Sequence, residues 1–492
     1  MRIALLVDNP YRDLPGLTMV AMELCQSGAT CYLVPMNLQA IEAWTLAPDF
    51  VLLNFLRRWD SQEFARHLVN AGIGVGVLDT EGGVLLSLDD YAMTMAQDPT
   101  VRHRISCFCS WGHKLAEHAV KNRWYLDQQV VVTGNPRFDF YVDPWREAAL
   151  QASPYADRFP KPLVLINGNF PLANPGFSTV ERERHGLVQA FGFGEGDAIA
   201  RQQGQQETMR RIVELANSLA ARFPDVTFVY RPHPFEDVKG YEGLLNARRN
   251  LHLVKQGTVD GWILRASAVI QRSCSTAVEA SLAGVPALSP VWIPTAGVME
   301  AAEGVSLPCT SEHELVGQLE GILRRQSGIP STVGATLPQV VKDWFCASDG
   351  QAHRRVASTL LACLNRHRRG ASLTYCRKGA YDFYRVGRSW KARAASQVRS
   401  RLNLAPDWPF RRLRCSIAGK TWDQGEKFFG VEQVQSLVRV IEPIGRQTGN
   451  GSWRDIRVSK ATPSDDYHFG YRQGRSIVLS AAEDVARMMT SA

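Results

Sequence analysis

The sequence predicts an α/β protein with two doubly wound halves, and three observations carry this prediction. Short β-branched, apolar runs alternate with segments of helical spacing from the first residue onward, which is typical of parallel sheets covered by helices. The alternation stops in a proline-rich stretch at residues 141–162 and then starts again. Hydrophobic residues make up 45% and charged residues 21% of the 492 residues, which excludes a wholly disordered or fibrous chain.

The first half contains six predicted strands with helices between them. The strands are predicted at residues 3–7, 30–34, 50–54, 73–78, 106–109 and 130–133, and the helices at 17–25, 61–71 and 112–122. We interpret residues 141–162 as a linker because four prolines interrupt them. A first Rossmann-like domain is therefore predicted at residues 1–145.

The second half repeats this pattern. Strands are predicted at residues 163–166, 226–230, 251–254 and 268–270, and helices at 205–222, 259–265, 277–283 and near 311–325 and 338–345. These elements define a second Rossmann-like domain at residues 146–365. Because sheets of this kind bind ligands outside the carboxyl ends of their strands, we expect the two domains to face a cleft.

A basic extension follows at residues 366–492. Between residues 366 and 420 there are fifteen Lys and Arg against two Asp and Glu, a balance of +13 in a chain whose net charge is +8, so the rest of the chain is at −5. Tyr, Trp and Phe are interspersed among these cations. A solvated segment, a nucleic-acid contact and an attachment to an anionic membrane surface are three interpretations. We favour the membrane surface, and we expect no nucleic acid and a soluble protein when the chain ends near Asn365.

Several features indicate a cytoplasmic protein. No run of about 18 apolar residues is present, as a membrane-spanning helix would need. The apolar run at the N-terminus reaches Asp8 and then Asn9-Pro10, which predicts a strand and a turn, not a signal peptide. The ten cysteines lack metal-binding or disulfide-framework spacing, which favours free thiols in a reducing compartment. We expect a location on the inner face of the cell membrane.

Two segments of the second half could bind a phosphate. His233 stands between two prolines at the end of a predicted strand, with Arg231 beside it, so both side chains come from stiff backbone. A rigid turn with an incidental histidine explains this segment equally well.

The second segment, residues 268–279, passes from a strand through hydroxyl residues into a helix. Ser273, Ser275 and Thr276 stand where helix caps belong, and capping alone would account for them. A helix start that also carries Arg272 and several hydroxyls is a candidate phosphate site. Glu279, one turn later, is placed to accept hydrogen bonds from ribose hydroxyls.

In the first half, residues 72–83 form a glycine-rich strand followed by an acidic turn. The glycines do not form a dinucleotide fingerprint because no helix follows, and we assign them to close backbone packing. Asp79 and Glu81 stand at the carboxyl end of the strand, where a general base or a carboxylate nucleophile would face the cleft. The alternative is a solvated turn.

Four short motifs carry a resemblance to a known family. They are Asp79-Thr-Glu-Gly82, Thr133-Gly-Asn-Pro-Arg-Phe-Asp139, Leu165-Ile-Asn167 and Trp344-Phe-Cys-Ala-Ser-Asp-Gly350. With the His-Pro and the hydroxyl-rich helix start, the sequence resembles bacterial CMP-sugar glycosyltransferases of the GT-B fold, such as sialyltransferases and Kdo transferases. It is more similar still to surface carbohydrate biosynthesis proteins of capsule and O-antigen loci. The resemblance covers roughly residues 1–365.

This resemblance implies a metal-independent glycosyltransferase without a cofactor. Its donor would be a CMP-linked acidic sugar of the Kdo or sialic acid type, and its acceptor a surface polysaccharide or glycolipid. Glu81 stands at the second position of the family's acidic pair and would be the base, although Thr80 replaces the first carboxylate of that pair and Asp79 lies one residue earlier. His233 would contact the CMP phosphate and assist its departure, and the three hydroxyl residues would bind that phosphate.

Two other functions fit the same residues. A CDP-polyol phosphotransferase also uses a His-Pro and a hydroxyl-rich helix start, but transfers the phosphate with the polyol. A non-catalytic adaptor could tether an assembly complex to the membrane through its basic tail. An adaptor has little reason to keep both Glu81 and His233 on opposing domains.

Overall fold

The computed structural model of the protein describes residues 1–366, 428–448, 453–462 and 475–482, apart from residues 58, 84–86, 97 and 326–330. It contains an eight-stranded and a six-stranded sheet, and the predicted fold class of two Rossmann-like domains facing a cleft is confirmed. The first domain provides β1 (Arg2–Val7), β2 (Thr30–Pro35), β3 (Phe50–Leu53), β4 (Gly74–Leu78), β5 (Cys107–Ser110) and β6 (Val130–Val132). The second provides β7 (Leu163–Asn167), β8 (Thr227–Arg231), β9 (Leu251–Leu253), β10 (Ala268–Ile270), β11 (Ala287–Pro290) and β12 (Leu307–Cys309). The last strands are β13 (Ile456–Lys460) and β14 (Ile477–Ala481).

Helices connect these strands. In the first domain they are α1 (Leu14–Gln26), α2 (Gln39–Thr45), α3 (Trp59–Asn70), α4 (Leu88–Thr94) and α5 (His113–Lys121). The remaining helices are α6 (Arg146–Ala152), α7 (Val180–Phe191), α8 (Glu195–Arg222), α9 (Val259–Ile263), α10 (Thr276–Leu282), α11 (Glu300–Glu303), α12 (Glu312–Arg325), α13 (Ser331–Phe345), α14 (Ala352–Arg366) and α15 (Val431–Thr448).

The first sheet is packed on both of its faces. Its order is β13-β14-β2-β1-β3-β4-β5-β6, with β1 to β6 parallel. Along β1, Ile3 and Leu5 belong to one core cluster, and Ala4 and Leu6 to another on the opposite face. This double burial explains why β1 is a continuous apolar run and not an alternating one.

The glycines of β4 serve close packing, as predicted. A Cβ atom at Gly74 would lie 2.4 Å from the ring of Phe50 on the neighbouring strand, and one at Gly76 would lie 3.0 Å from the same ring and from Sγ of Cys107. Glycine at these positions lets the Phe50 ring lie over β4.

The second sheet is wholly parallel, in the order β12-β11-β10-β7-β8-β9. From β7, successive strands are added towards one edge of the sheet as far as β9. From β10 to β12 they are added towards the opposite edge, so the strand order reverses between β7 and β10. In doubly wound sheets the crevice at such a reversal is where ligands bind. The prediction missed β11 and β12, which are only four and three residues long.

The proline-rich segment predicted as a linker is folded and packed. It contains α6, and its Trp145 is fully buried and donates a hydrogen bond from Nε1 to the carbonyl of Gly350 at 2.9 Å. Helix α6 also contacts α9 and α15. The linker interpretation was therefore wrong. Prolines at the turns of a folded segment give the same local pattern as prolines in an extended connection.

The chain returns to the first domain after the second sheet is complete. Helix α14, which the sequence analysis placed in the second domain, packs against α1 and β5. Helix α15 buries its apolar side against α1 and α6. Strands β13 and β14 form an antiparallel hairpin, and β14 pairs with β2, where Val478 is opposite Tyr32. The first domain is thus built from both ends of the sequence.

A buried carboxylate fastens this returning chain. Glu42 on α2 accepts hydrogen bonds from the backbone N–H groups of Arg475 and Ser476, each at 2.7 Å, and from the Ser476 hydroxyl. A chain ending near Asn365 would lack these contacts and expose the edge of β2, which is a template for aggregation. This exposed edge counts against the expectation that such a protein stays soluble, and its solubility stays a prediction.

The basic stretch 366–420 lies, except for Arg366, outside the described residues. Within the described part of the chain, no helix is both long and apolar enough to cross a bilayer.

We predict that Leu479→Ala on β14 lowers the free energy of unfolding by about 2–5 kcal/mol, because it leaves a cavity where a leucine is completely buried. Urea unfolding of the full chain measures this loss. Val458→Ala on the outer strand β13 is the matched control, since Val458 is only half-buried, and we expect about 1 kcal/mol or less. Equal losses in the two variants would contradict the placement of β14 in the sheet.

Candidate active site

A cavity of about 260 Å³ lies between the two domains. The first domain lines it with the loop after β1, with Glu81 after β4 and with residues 137–141. The second domain lines it with residues at or after the ends of β7, β8, β9, β10 and β11. All of these strand-following residues leave the carboxyl ends of parallel strands, and those after β7 and β10 flank the reversal of strand order.

Glu81 is the cavity's half-exposed carboxylate, with 48% of its side chain accessible. Its Oε2 accepts a hydrogen bond from Nη2 of Arg57 at 2.7 Å. Burial disfavours its charged form, but Arg57 and then Arg12 hold its pKa below the usual range, and His233 of the other domain adds to this effect. Glu81 is therefore a carboxylate at neutral pH, and it lies within electrostatic reach of His233 across the cleft.

Asp79 has a different position from the one expected of a catalytic residue. It does not line the cavity, only 1% of its side chain is exposed, and its Oδ2 accepts a hydrogen bond from the Tyr91 hydroxyl at 2.8 Å. Its Oδ1 accepts from the backbone N–H of Glu81 at 2.9 Å. Burial raises the pKa of Asp79, although Arg57 opposes that shift. Asp79 shapes the turn that presents Glu81.

His233 is held in one orientation by the loop around it. Its backbone N–H donates to Oε1 of Glu236 at 2.8 Å, and its Nδ1 accepts from the N–H of Phe235 at 3.2 Å. A ring whose Nδ1 accepts carries its proton on Nε2 when neutral. His233 lines the cavity, and in its neutral form the ring donor is Nε2–H.

Glu236 is the buried residue that supports this arrangement. It also accepts from the N–H of Phe170 at 2.9 Å and from the hydroxyl of Tyr241, which ties the loop after β7 to the loop after β8. Burial raises the pKa of Glu236, and these hydrogen bonds lower it.

Arg231 lines the cavity but its guanidinium is already engaged. Nη1 and Nη2 donate to the carbonyls of Gln256 and Gly257 at 2.6 and 2.9 Å, and the group lies 5.4 Å from the ring of Trp262. Burial lowers its pKa to about 10. Arg231 thus shapes the wall next to His233 in addition to any contact with a ligand.

The hydroxyl-rich segment divides into two groups. Ser275 and Thr276 line the cavity, Ser275 makes no side-chain capping bond, and the buried Oγ1 of Thr276 has no hydrogen-bond partner in the described part of the chain. Ser273 does not line the cavity, because its Oγ accepts from the N–H of Met299 at 2.6 Å. Arg272 also lies outside, paired with Glu303 at 2.6 Å. The structure thus brings two of these four predicted nucleotide-binding residues to the cavity.

Glu279 lines the cavity and forms a buried ion pair between the domains. Its Oε1 accepts from Nη2 of Arg137 at 3.1 Å, and both side chains are at least nine-tenths buried. The guanidinium lies over the rings of Trp111 and Phe138, at 4.9 and 4.6 Å. Burial raises the pKa of Glu279 and lowers that of Arg137, while each partner opposes the shift of the other.

Four further residues of the cavity were not assigned a role from the sequence. They are Arg12, Arg137, Asn167 and Asp260. Arg137 and Asn167 occur in motifs that carry the family resemblance, and Arg12 follows the turn after β1. The positions of these three residues in the sequence could therefore have marked them as candidates for the cavity. Nothing in the sequence near Asp260 singles it out. Among the described residues, no cluster of three or more His, Cys, Asp or Glu is arranged to hold a metal ion.

Comparison with known proteins finds solved structures of similar fold, but no family model and no curated protein that matches the sequence. Similar solved structures include S. aureus MnaA with UDP, at 14% identity and a TM-score of 0.47, over 74% of this chain and 96% of that one. A UDP-GlcNAc 2-epimerase from Methanocaldococcus jannaschii with UDP-GlcNAc and UDP has 13% identity and a TM-score of 0.48, over 74% and 100%. The wall teichoic acid polymerase TagF with CDPG has 10% identity and a TM-score of 0.44, over 74% and 89%.

Proposed function

We propose that the protein is a glycosyltransferase that moves a sugar from a nucleotide-linked donor to a glycan or glycolipid acceptor. One observation carries this proposal. A single cavity between the domains holds a carboxylate, Glu81, from one sheet and a hydrogen-bond donor, His233, from the other. Group transfer between two substrates needs a base that takes the proton of the acceptor and a hydrogen-bond donor that stabilises the leaving group. The two walls of this cavity provide one of each. The same pairing favours an enzyme over a non-catalytic adaptor.

The reaction assigns one step to each wall. The acceptor hydroxyl attacks the anomeric carbon of the donor sugar while Glu81 takes the hydroxyl proton. The bond between the anomeric carbon and the phosphate oxygen breaks, and its electron pair stays on the departing nucleotide. His233 donates from Nε2 to that phosphate, and the Thr276 hydroxyl provides a second donor. The donor is the only small molecule that this scheme requires, and no cofactor takes part.

We propose that the donor is a CMP-linked acidic sugar of the Kdo or sialic acid type. The motif resemblance supports the choice of CMP and of an acidic sugar, and the buried donors of the cavity favour a phosphate-containing ligand in general. Nε of Arg137, Nδ2 of Asn167 and Oγ1 of Thr276 are buried and have no hydrogen-bond partner among the described residues. Buried polar groups are normally paired, so these three donors favour a ligand with acceptor oxygens. Oε2 of Glu279 is also buried without a partner among the described residues, and it favours a ligand that carries hydroxyl donors as well.

A panel of donors tests this assignment. The purified full chain is incubated with CMP-sialic acid, CMP-Kdo, a CDP-polyol and UDP-GlcNAc, with and without lipid-linked glycans, and the products are identified by mass. Release of CMP with formation of a glycoside supports the proposal. A product that gains a polyol phosphate indicates the phosphotransferase, and epimerised UDP-GlcNAc with no glycoside product contradicts the transferase.

We further propose that residues 366–420 hold the protein on the inner face of the cell membrane. Their excess of Lys and Arg favours an anionic surface, at about 1 kcal/mol for each cation near it. Aromatic residues among the cations favour the interface between lipid and water. The acceptor glycolipid would lie in the same membrane.

We predict that Glu81→Gln lowers the rate of transfer by roughly a hundredfold or more, as removal of a general base does. Its affinity for CMP should change less than twofold, because Glu81 acts on the acceptor. Steady-state rates and calorimetry measure the two quantities. Glu63→Gln, an isosteric change on α3 outside the cavity, is the control. Full activity in Glu81→Gln would contradict the assignment of the base.

We predict that His233→Ala and the double variant Ser275→Ala/Thr276→Ala each bind CMP roughly tenfold more weakly, since each removes a hydrogen bond to a charged phosphate. Titration calorimetry with CMP measures this change. His313→Ala, an exposed histidine on α12, is the control and should bind like the wild type. Unchanged affinity in both cavity variants would mean that the phosphate does not bind here.

We predict that the full chain sediments with vesicles containing phosphatidylglycerol and is released by high salt. Replacing Arg411, Arg412 and Arg414 by alanine should weaken binding severalfold, because each arginine contributes electrostatic attraction. Replacing the exposed Arg248, Arg249 and Arg324 is the matched control. Equal loss in the two triple variants would contradict attachment through the basic stretch, and so would tighter binding to single-stranded DNA than to vesicles.

A further inference from the structure

Arg57 connects the two carboxylates of the first domain. It follows β3, and its Nη2 donates to Oε2 of Glu81 at 2.7 Å. Its Nε lies 3.2 Å from Oδ2 of Asp79. The guanidinium also lies near the rings of Phe55 and Tyr91, at 5.8 and 5.2 Å. No motif in the sequence singles out this arginine.

The three charged groups differ strongly in exposure. Asp79 is 1% exposed and Arg57 9%, whereas Glu81 is 48% exposed. Asp79 is itself fixed by the Tyr91 hydroxyl and by the backbone N–H of Glu81. The buried pair of Arg57 and Asp79 thus lies on the protein side of Glu81, and Arg57 holds this accessible carboxylate through a hydrogen bond. An arginine is suited to this task because its planar group can contact two carboxylates at once.

We infer that Arg57 is a positioning residue that fixes Glu81 for proton transfer in the proposed glycosyltransferase. Because Oε2 of Glu81 is bonded to Arg57, Oε1 is the oxygen left to receive the acceptor proton. The buried Asp79 keeps the guanidinium in place and balances its charge. The inference rests on the proposed function for the identity of the step, but the hold of Arg57 on Glu81 can be tested separately.

A purely structural role would not predict a change in the titration of Glu81. The titratable and charged groups that act on Glu81 are Arg57, Arg12 of the loop after β1, Asp79 and His233 of the second domain. Arg57 is the largest of the influences that lower the pKa of Glu81. A base acts in its deprotonated form, so activity is lost as the pH falls through that pKa. Without Arg57, this loss should occur at higher pH.

The experiment compares Arg57→Met and Arg57→Lys with the wild type in the full chain. For Arg57→Met we expect the acid limb of kcat/KM to move upward by about one pH unit or more and kcat to fall roughly tenfold or more, with the donor KM within about twofold. Arg57→Lys keeps a charge, so its acid limb should stay near that of the wild type. Arg66→Met is the matched control, because Arg66 pairs with Glu63 on α3 outside the cavity.

A second measurement does not depend on turnover. The pKa of Glu81 is read from the ¹³C resonance of labelled glutamate side chains, with the signal assigned by its absence in Glu81→Gln. If the wild type uses no donor but this pKa still rises in Arg57→Met, the proposed transfer fails while the contact stands. If the double variant Arg57→Met/Asp79→Asn, which leaves no unpaired buried charge, has the wild-type pKa and pH profile, the inference is overturned.

Discussion

The candidate site depends on a constraint that the parallel sheets impose. Their central strands are buried on both faces, so they cannot carry polar side chains along their length without large desolvation costs. Polar residues are admitted where each strand ends and the backbone reaches the cleft. Glu81 after β4, Asn167 at the end of β7 and His233 after β8 all stand at such ends. The chemistry of the cavity is therefore concentrated at two facing sheet edges.

The buried pair Arg137 and Glu279 joins these two sheet edges. Loss of one partner of such a pair costs about 3–5 kcal/mol, because the other charge is left unpaired in the interior. The pairs Arg201 with Asp90 and Lys114 with Glu300 also join the domains but are more exposed, and such pairs contribute about 1 kcal/mol or less. Since Glu279 also lines the cavity, a ligand that engages it would act on the contact between the domains.

How far the sequence predicts this molecule depends on whether a feature is local. Buried strands can be predicted because they are continuous apolar runs in the sequence. A histidine between two prolines at the end of a strand is likewise recognisable from the local sequence alone. Asp79 and Glu81 could not be told apart, because only packing makes one of them 1% exposed and the other 48%. The role of Arg57 could not be predicted, because the carboxylates that it contacts lie in a turn more than twenty residues further along the chain. The hairpin of β13 and β14 is polar on its outer side and pairs with a strand at the other end of the chain, so no local pattern revealed it.

The pairing of β14 with β2 also bears on the order in which the protein is made and folded. Domains usually fold as units while the chain is being synthesised, with the N-terminal one first. Here β2 has been synthesised by residue 35, but one of its two neighbours in the sheet, β14, is residues 477–481. The whole second sheet, from residue 163 to 309, leaves the ribosome during that interval. The second domain can therefore finish folding before the first, and the early strands must wait with one edge uncovered, where a chaperone or a neighbouring nascent chain can reach it.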